Sequence, residues 1–274
     1  MPSASDIADR RRRFHALHAS GCFVLPNPWD AGSARYLQSL GFQALATTSA
    51  GFAWAQGRPD NHVTRDQVLA HLHDMVAATD LPLNADFESG FATAPAGVAE
   101  SVELAAEAGV AGLSIEDSTG DPARPLFPLD EALERLRAAR RAIDRRGGDT
   151  LLVARAENFF VGPADFDDTL ARLRAYADAG ADCLYAPGVR DPAQIRALVQ
   201  AVAPRPLNLL VGWPTDDTVA TYAALGVRRI SLGGALARAA WGGFMRAAQG
   251  LAQGRFDALA GAAPGAEINR LMGG

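Results

Sequence analysis

Residues 81–90 read LPLNADFESG, a short apolar run that leads straight into two carboxylates, Asp86 and Glu88, and stops at Gly90. Its length and composition are those of a buried β-strand. Side chains two apart on a strand share a face, so Asp86 and Glu88 are expected to converge. Two like charges at the end of a core strand are costly unless a cation or hydrogen-bond donors compensate them. A divalent metal is the simplest compensation; the plain alternative is a pair of capping and loop acids feeding the next helix.

Outward from this stretch, apolar strand-length runs alternate with amphipathic helix-length segments along nearly the whole chain. After a leading helix over 7–20, strands are predicted at 22–26, 44–48, 81–86, 112–115, 151–154, 183–185, 207–211 and 229–232. Helices are predicted between them, with a long loop, SAGFAWAQGRPDNHV, after the second strand. Strands this uniformly apolar are buried on both faces, as in a parallel sheet covered by helices. Eight β/α units predict an α/β fold, a single (β/α)8 TIM barrel spanning 1–274, with an N-terminal helix (1–20) and a C-terminal helical tail (241–274). An open doubly wound sheet is disfavoured because no GxGxxG opens the first helix.

The chain has 274 residues, 49% of them hydrophobic, and a net charge of -5. An acidic balance without a clustered basic patch argues against nucleic acid or an anionic membrane as partner and for a small molecule. The run of arginines over 10–13 is read as a solvated helix face. No stretch approaches the ~20 apolar residues of a membrane span. Cys22 and Cys183 are read as buried reduced thiols at the starts of core strands, which fits a cytoplasmic protein. All 26 basic residues are arginine, so the chain supplies no lysine for a Schiff base.

Catalytic groups of a barrel lie at the carboxyl ends of its strands. There the sequence puts Ser49, Gly51 and Asp60 after strand two, Asp86 and Glu88 after three, and Glu116 and Asp117 after four. Arg155, Glu157 and Asn158 follow strand five, while Asn208 and Ser231 lie on strands seven and eight. A carboxylate cluster facing one arginine suits metal-assisted chemistry on an acid, since Mg²⁺ takes carboxylate oxygens and keeps several waters. Arginine clamps a substrate carboxylate or phosphonate; for Arg155 an internal salt bridge to Glu116 or Glu157 is the other reading. Asp117 points away from Glu116 and is read as structural. His71 and His73 are read as surface side chains, because residues two apart on a helix do not share a face. His62 is kept as a minor candidate, and Gly233 and Gly234 are assigned to close helix packing.

PNPWDAGSARYLQSLGFQALATTSAG, NADFESG, SIEDS and VARAEN occur in this order. Together they resemble the isocitrate lyase/phosphoenolpyruvate mutase superfamily over about 26–240. The resemblance implies that Asp86, Glu88 and Glu116 organise Mg²⁺ (or Mn²⁺), largely through water. It implies that Asp60 lies beside the substrate, that Arg155 binds its acid group, and that Ser49, Ala50 and Gly51 donate backbone N–H groups to its carboxylate, while Asn208, from its place on strand seven, is taken as a further substrate contact. It also implies a homodimer or homotetramer assembled by exchange of the last helices.

One segment departs from the pattern. Lyases of this superfamily carry a catalytic cysteine in a KKCGH-like loop after the third acidic motif, where this chain has STGDPARPLFP. An isocitrate or methylisocitrate lyase is therefore not expected, and the asparagine-bearing segment of phosphonopyruvate mutases is missing too. The expectation is a Mg²⁺-dependent enzyme cleaving a C–C bond of a small α-keto or α-hydroxy (di)acid through an enolate. The alternatives are a phosphonopyruvate-type mutase or hydrolase acting on a P–C bond, and a catalytically inactive ligand-binding barrel.

Overall fold

The computed structural model describes residues 2–273. Eight short strands form one sheet: β1 (Phe23–Leu25), β2 (Leu45–Ala46), β3 (Leu83–Asp86), β4 (Gly112–Glu116), β5 (Leu151–Arg155), β6 (Cys183–Tyr185), β7 (Leu207–Leu210) and β8 (Arg229–Ser231). Every pairing is parallel, in the order β1-β8-β7-β6-β5-β4-β3-β2. The open side between β1 and β2 is bridged by Ala46 N–H donating to Pro26 O at 3.0 Å, so the barrel is nearly closed. Parallel neighbours need long crossovers, and helices supply them.

The described α-helices are α1 (Ala4–Ala19), which precedes β1, α2 (Ala31–Ser39), α3 (Ser49–Ala55), α4 (Arg65–Ala78), α5 (Pro95–Glu107) and α6 (Leu129–Arg145). The series continues with α7 (Phe166–Asp178), α8 (Pro192–Val202), α9 (Val219–Ala224), α10 (Ala235–Ala252) and α11 (Gly265–Met272). The (β/α)8 expectation therefore holds, with the leading helix and helical tail in place. Among the described residues no helix is long and apolar enough to cross a membrane.

The core has two compartments because strand residues alternate faces. Along β4, Leu113 and Ile115 join the layer between sheet and helices, while Ser114 and Glu116 turn inward. Inside the barrel, Phe23, Leu25, Ala46, Val153, Cys183 and Leu210 pack together, and Phe14 of α1 closes the bottom. Gly112 is needed at this plug: a Cβ there would stand 2.8 Å from the Phe14 ring and 2.9 Å from Asn84 Oδ1. With the bottom filled, only the carboxyl ends of the strands are left open.

Three expectations are corrected. The segment after β2 is not all loop: Thr48 caps α3 by accepting from Gly51 N–H, so a helical turn presents Ser49 and Ala50. The 10–13 arginines are not simply a solvated face. Arg10 and Arg11 are buried and donate to the carbonyls of Val76, Val110 and Ala106, satisfying helix and strand ends beneath the barrel. His71 is not a surface side chain either: it is buried and stacked on Phe52 of α3 at 4.0 Å, while His73 lies on the exposed face. The two histidines do point apart, but α3 covers the side carrying His71. Of the cysteines, neither of which forms a disulfide, Cys183 is buried and Cys22 only half-buried.

Candidate active site

A cavity of about 430 Å³ opens at the carboxyl ends of the strands. Arg155, the last residue of β5, is its electrostatic centre. Its Nη1 lies 3.4 Å from Asp86 Oδ1 and 3.2 Å from Glu116 Oε2, and its Nε donates to Glu157. The Tyr185 ring packs under the guanidinium at 5.2 Å. Burial works against this charge, but Glu157 and Glu116 outweigh it and hold Arg155 well above its usual range. The carboxylate cluster expected around one arginine is thus formed, held by the Nε and Nη1 of Arg155.

Asp86 borders the cavity and accepts from Ser49 N–H at 3.0 Å, while its own N–H donates to Thr47 Oγ1. Glu88, two residues on, is buried and its Oε1 has no hydrogen-bond partner. Burial first, then the charges of Asp86 and Asp60, push its carboxyl up to about 8. Burial likewise pushes Glu116 well above the usual carboxylate range, against the pull of Arg155. Glu88 and Phe91 have φ of 48° and 56°, a left-handed conformation unusual for residues with a side chain. Arg135 of α6 clamps this turn. Its guanidinium donates to the carbonyls of Ala92 (2.6 Å), Thr93 (2.5 Å) and Ser89 and lies 4.0 Å over the Phe127 ring.

These acids fit a hydrated divalent cation rather than a bare ion. No group of three or more His, Cys, Asp or Glu side chains suited to hold a metal ion occurs among the described residues. Yet three buried or half-buried carboxylates share one arginine, and Glu88 Oε1 is left unpaired. A hard cation bound through one or two carboxylates and several waters suits that donor set. Asp86, Glu88 and Glu116 are the residues that would hold it.

The other predicted residues fall into two groups. Asp60, Ser49 and Ala50 border the cavity, and burial, with the Asp86 charge, pushes the Asp60 carboxyl up. Gly51 lies behind them, its N–H used by the Thr48 cap; a Cβ at Gly51 would come within 2.9 Å of Trp29. With Ser49 N–H given to Asp86, Ala50 N–H is the amide of that turn left for a ligand. Asn208 lies below the cavity surface, its amide shared between Arg229 and Ser231. Asp117 is structural, as expected: it accepts from Tyr176, Arg172 and Glu157 N–H. His62 is exposed and bonds Asp60 O. The 118–128 loop folds on itself, through a Ser118–Leu126 bridge and Thr119 N–H to Pro125 O, and contributes nothing to the cavity lining.

The cavity also contains residues that the sequence did not reveal. Trp54, Phe160 and Trp213 give it aromatic walls, and Arg190 stacks on Trp213 at 4.2 Å. Asn84 and Arg229 border its floor, and a polar side chain on a core strand was the available signal for both.

The family model described as phosphoenolpyruvate phosphomutase matches residues 14–252. The chain belongs to this family. A Burkholderia cenocepacia J2315 crystal structure, described as a candidate lyase/mutase, superposes with a TM-score of 0.95 at 49% identity over 98% of both chains. Oxaloacetate acetylhydrolase bound to its product oxalate superposes with a TM-score of 0.86 at 28% identity, over 98% of this chain and 94% of that one. An oxaloacetate decarboxylase of Paraburkholderia xenovorans is 32% identical over 81% of this chain and 74% of its own. The family thus holds enzymes of lyase and mutase type on the same barrel.

Proposed function

We propose that this chain is a Mg²⁺-dependent lyase that cleaves a C–C bond of a small α-keto or α-hydroxy acid. The observation that carries the reading is the unpaired, buried Glu88 Oε1 beside Asp86 and Glu116, an arrangement that a cation would complete. Bound there, Mg²⁺ would supply positive charge for the oxygen that becomes negative as the bond breaks. Arg155 and Ala50 N–H bind and orient the acid group. Asp60, the cavity carboxyl that burial and Asp86 push up, carries the proton. Tyr185, Trp54 and Trp213 exclude water around the reacting carbon. Nucleophilic catalysis is not drawn from the cysteines: burial pushes Cys183 up to about 11, and neither cysteine borders the cavity.

Oxaloacetate is the first substrate to assay, by likeness to the Paraburkholderia decarboxylase. Turnover is expected with Mg²⁺, to stop with EDTA, and to fall about 100-fold or more in E88A while the variant keeps its melting temperature within a few degrees. Undiminished turnover by E88A would remove the assignment. The family description favours one other reading, a P–C bond reaction. Consumption of phosphonopyruvate in place of oxaloacetate would establish it, and binding of oxalate without turnover of any keto acid would mark a ligand-binding barrel.

A further inference from the structure

Arg229 projects into the barrel from β8 and is 2% exposed. Its Nε donates to Asn208 Oδ1 at 2.8 Å, and its Nη1 lies 3.3 Å from Asn84 Oδ1 and 3.4 Å from His18 Nε2. All three acceptors are neutral, since burial pushes His18 down to about 3. Among the described residues no carboxylate lies within salt-bridge distance of Arg229, and its Nη2 makes no hydrogen bond. Buried guanidinium groups are ordinarily paired with an anion. Arg229 nevertheless borders the cavity, together with Asn84 and Ser231.

Its depth can be read from the strand. Asn84 and Asp86 are two apart on β3 and both border the cavity, so Asn84 lies about 7 Å below Asp86. Arg229 meets Asn84 and, with the Phe14 ring 5.9 Å from its guanidinium, offers a positive charge without an anion partner one strand repeat beneath the acid cluster. The wall above it carries Arg190 and Arg238, neither with a carboxylate partner among the described residues. Asp60 and Asp86 thus come from the β2–β3 part of the barrel, and Arg190, Arg229 and Arg238 from the β6–β8 part.

We propose that Arg229 is a second anion subsite, the residue that holds the far acid group of a four- or five-carbon diacid bound in this cavity. This rests on the reading of Asp86 and Arg155 as the place of the keto-acid end. The charged group at the deep end pairs with Nη2 and supplies the anion that the fold itself withholds. Arg229 also ties α1 to the barrel through His18, a role that would affect every ligand equally. Only a subsite discriminates between ligands of the same length with and without the second charge.

Matched pairs make the test: oxaloacetate against 2-oxobutanoate, and 2-oxoglutarate against 2-oxopentanoate. Binding is measured at saturating Mg²⁺ by rapid-mixing tryptophan fluorescence, since Trp54 and Trp213 border the cavity. The intact protein is expected to prefer the diacid of at least one pair by about tenfold or more, as a charge-assisted hydrogen bond allows. R229Q should bring that ratio close to one, and R229K should restore part of it. Equal binding of both members of each pair by the intact protein would overturn the subsite alone, with no variant needed. A ratio unchanged in R229Q would do the same. Binding of none of the four acids in Mg²⁺ would overturn the keto-acid reading and the subsite together.

Discussion

Arg155 gathers Asp86, Glu116 and Glu157 at one point, and this convergence explains why burial can be imposed on so many carboxylates. Two buried histidines are likewise pushed by burial toward the neutral form. Burial pushes His71 down to about 4 and His18 to about 3, both below their ordinary value of 6.5. The unfolded chain therefore takes up protons that the folded chain refuses, so their contribution to stability is present above pH ~6.5 and is lost as the pH falls toward those lower values. At pH 5 the loss is on the order of 2 kcal/mol for each histidine. Melting temperatures measured from pH 7 to 5 should fall, and H71L should show a shallower fall; an equal slope in H71L would refute the assignment. At this scale the sequence was half legible. Asp86, Glu88, Glu116 and Arg155 stand at strand ends where charge is out of place, which made them visible. Asn84 and Arg229 lie on core strands and His71 on an amphipathic helix, and their role depends on what other parts of the chain bring to them.

The β3 turn and α3 are the two elements that shape the site. The turn from Glu88 to Phe91 holds left-handed residues, a conformation that costs about 1–3 kcal/mol each and persists only where neighbours enforce it. Arg135 enforces it through three backbone carbonyls, although it comes from α6, more than forty residues away in sequence. R135M should leave those carbonyls unsatisfied in a buried setting and destabilise the chain by about 3 kcal/mol. Because the turn positions Glu88, Mg²⁺ affinity measured by calorimetry should also drop about tenfold or more, with R135K recovering part of it. An R135M protein that binds Mg²⁺ normally would separate the clamp from the site. The α3 helix was hidden in the sequence because it is short and its apolar residues, Phe52 and Ala53, read equally well as loop anchors until Thr48 is seen to cap it.

At the scale of the molecule, α10 presents apolar residues that are left exposed among the described residues. Trp241, Phe244, Met245 and Leu251 are all exposed, whereas only Ala237 and Gly250 of its 18 residues are buried. An apolar face of this kind favours association, so sedimentation or light scattering should show a dimer or tetramer, and F244E with M245E should shift it toward monomer; a monomeric parent protein would refute that expectation. The barrel itself was readable from the sequence, because eight doubly buried strands alternating with one-sided helices leave few other architectures. The reaction was not, because the 118–128 loop carries no reactive side chain of the kind the lyase pattern expects and folds onto itself away from the cavity. What the acids bind is therefore the point to settle. A crystal structure with Mg²⁺ and oxalate is the most direct measurement: the ion should sit at Asp86, reaching Glu88 and Glu116 through water, with oxalate between it and Arg155. An ion bound away from these three carboxylates, or oxalate bound with Glu88 still unpaired, would contradict a metal-centred lyase site.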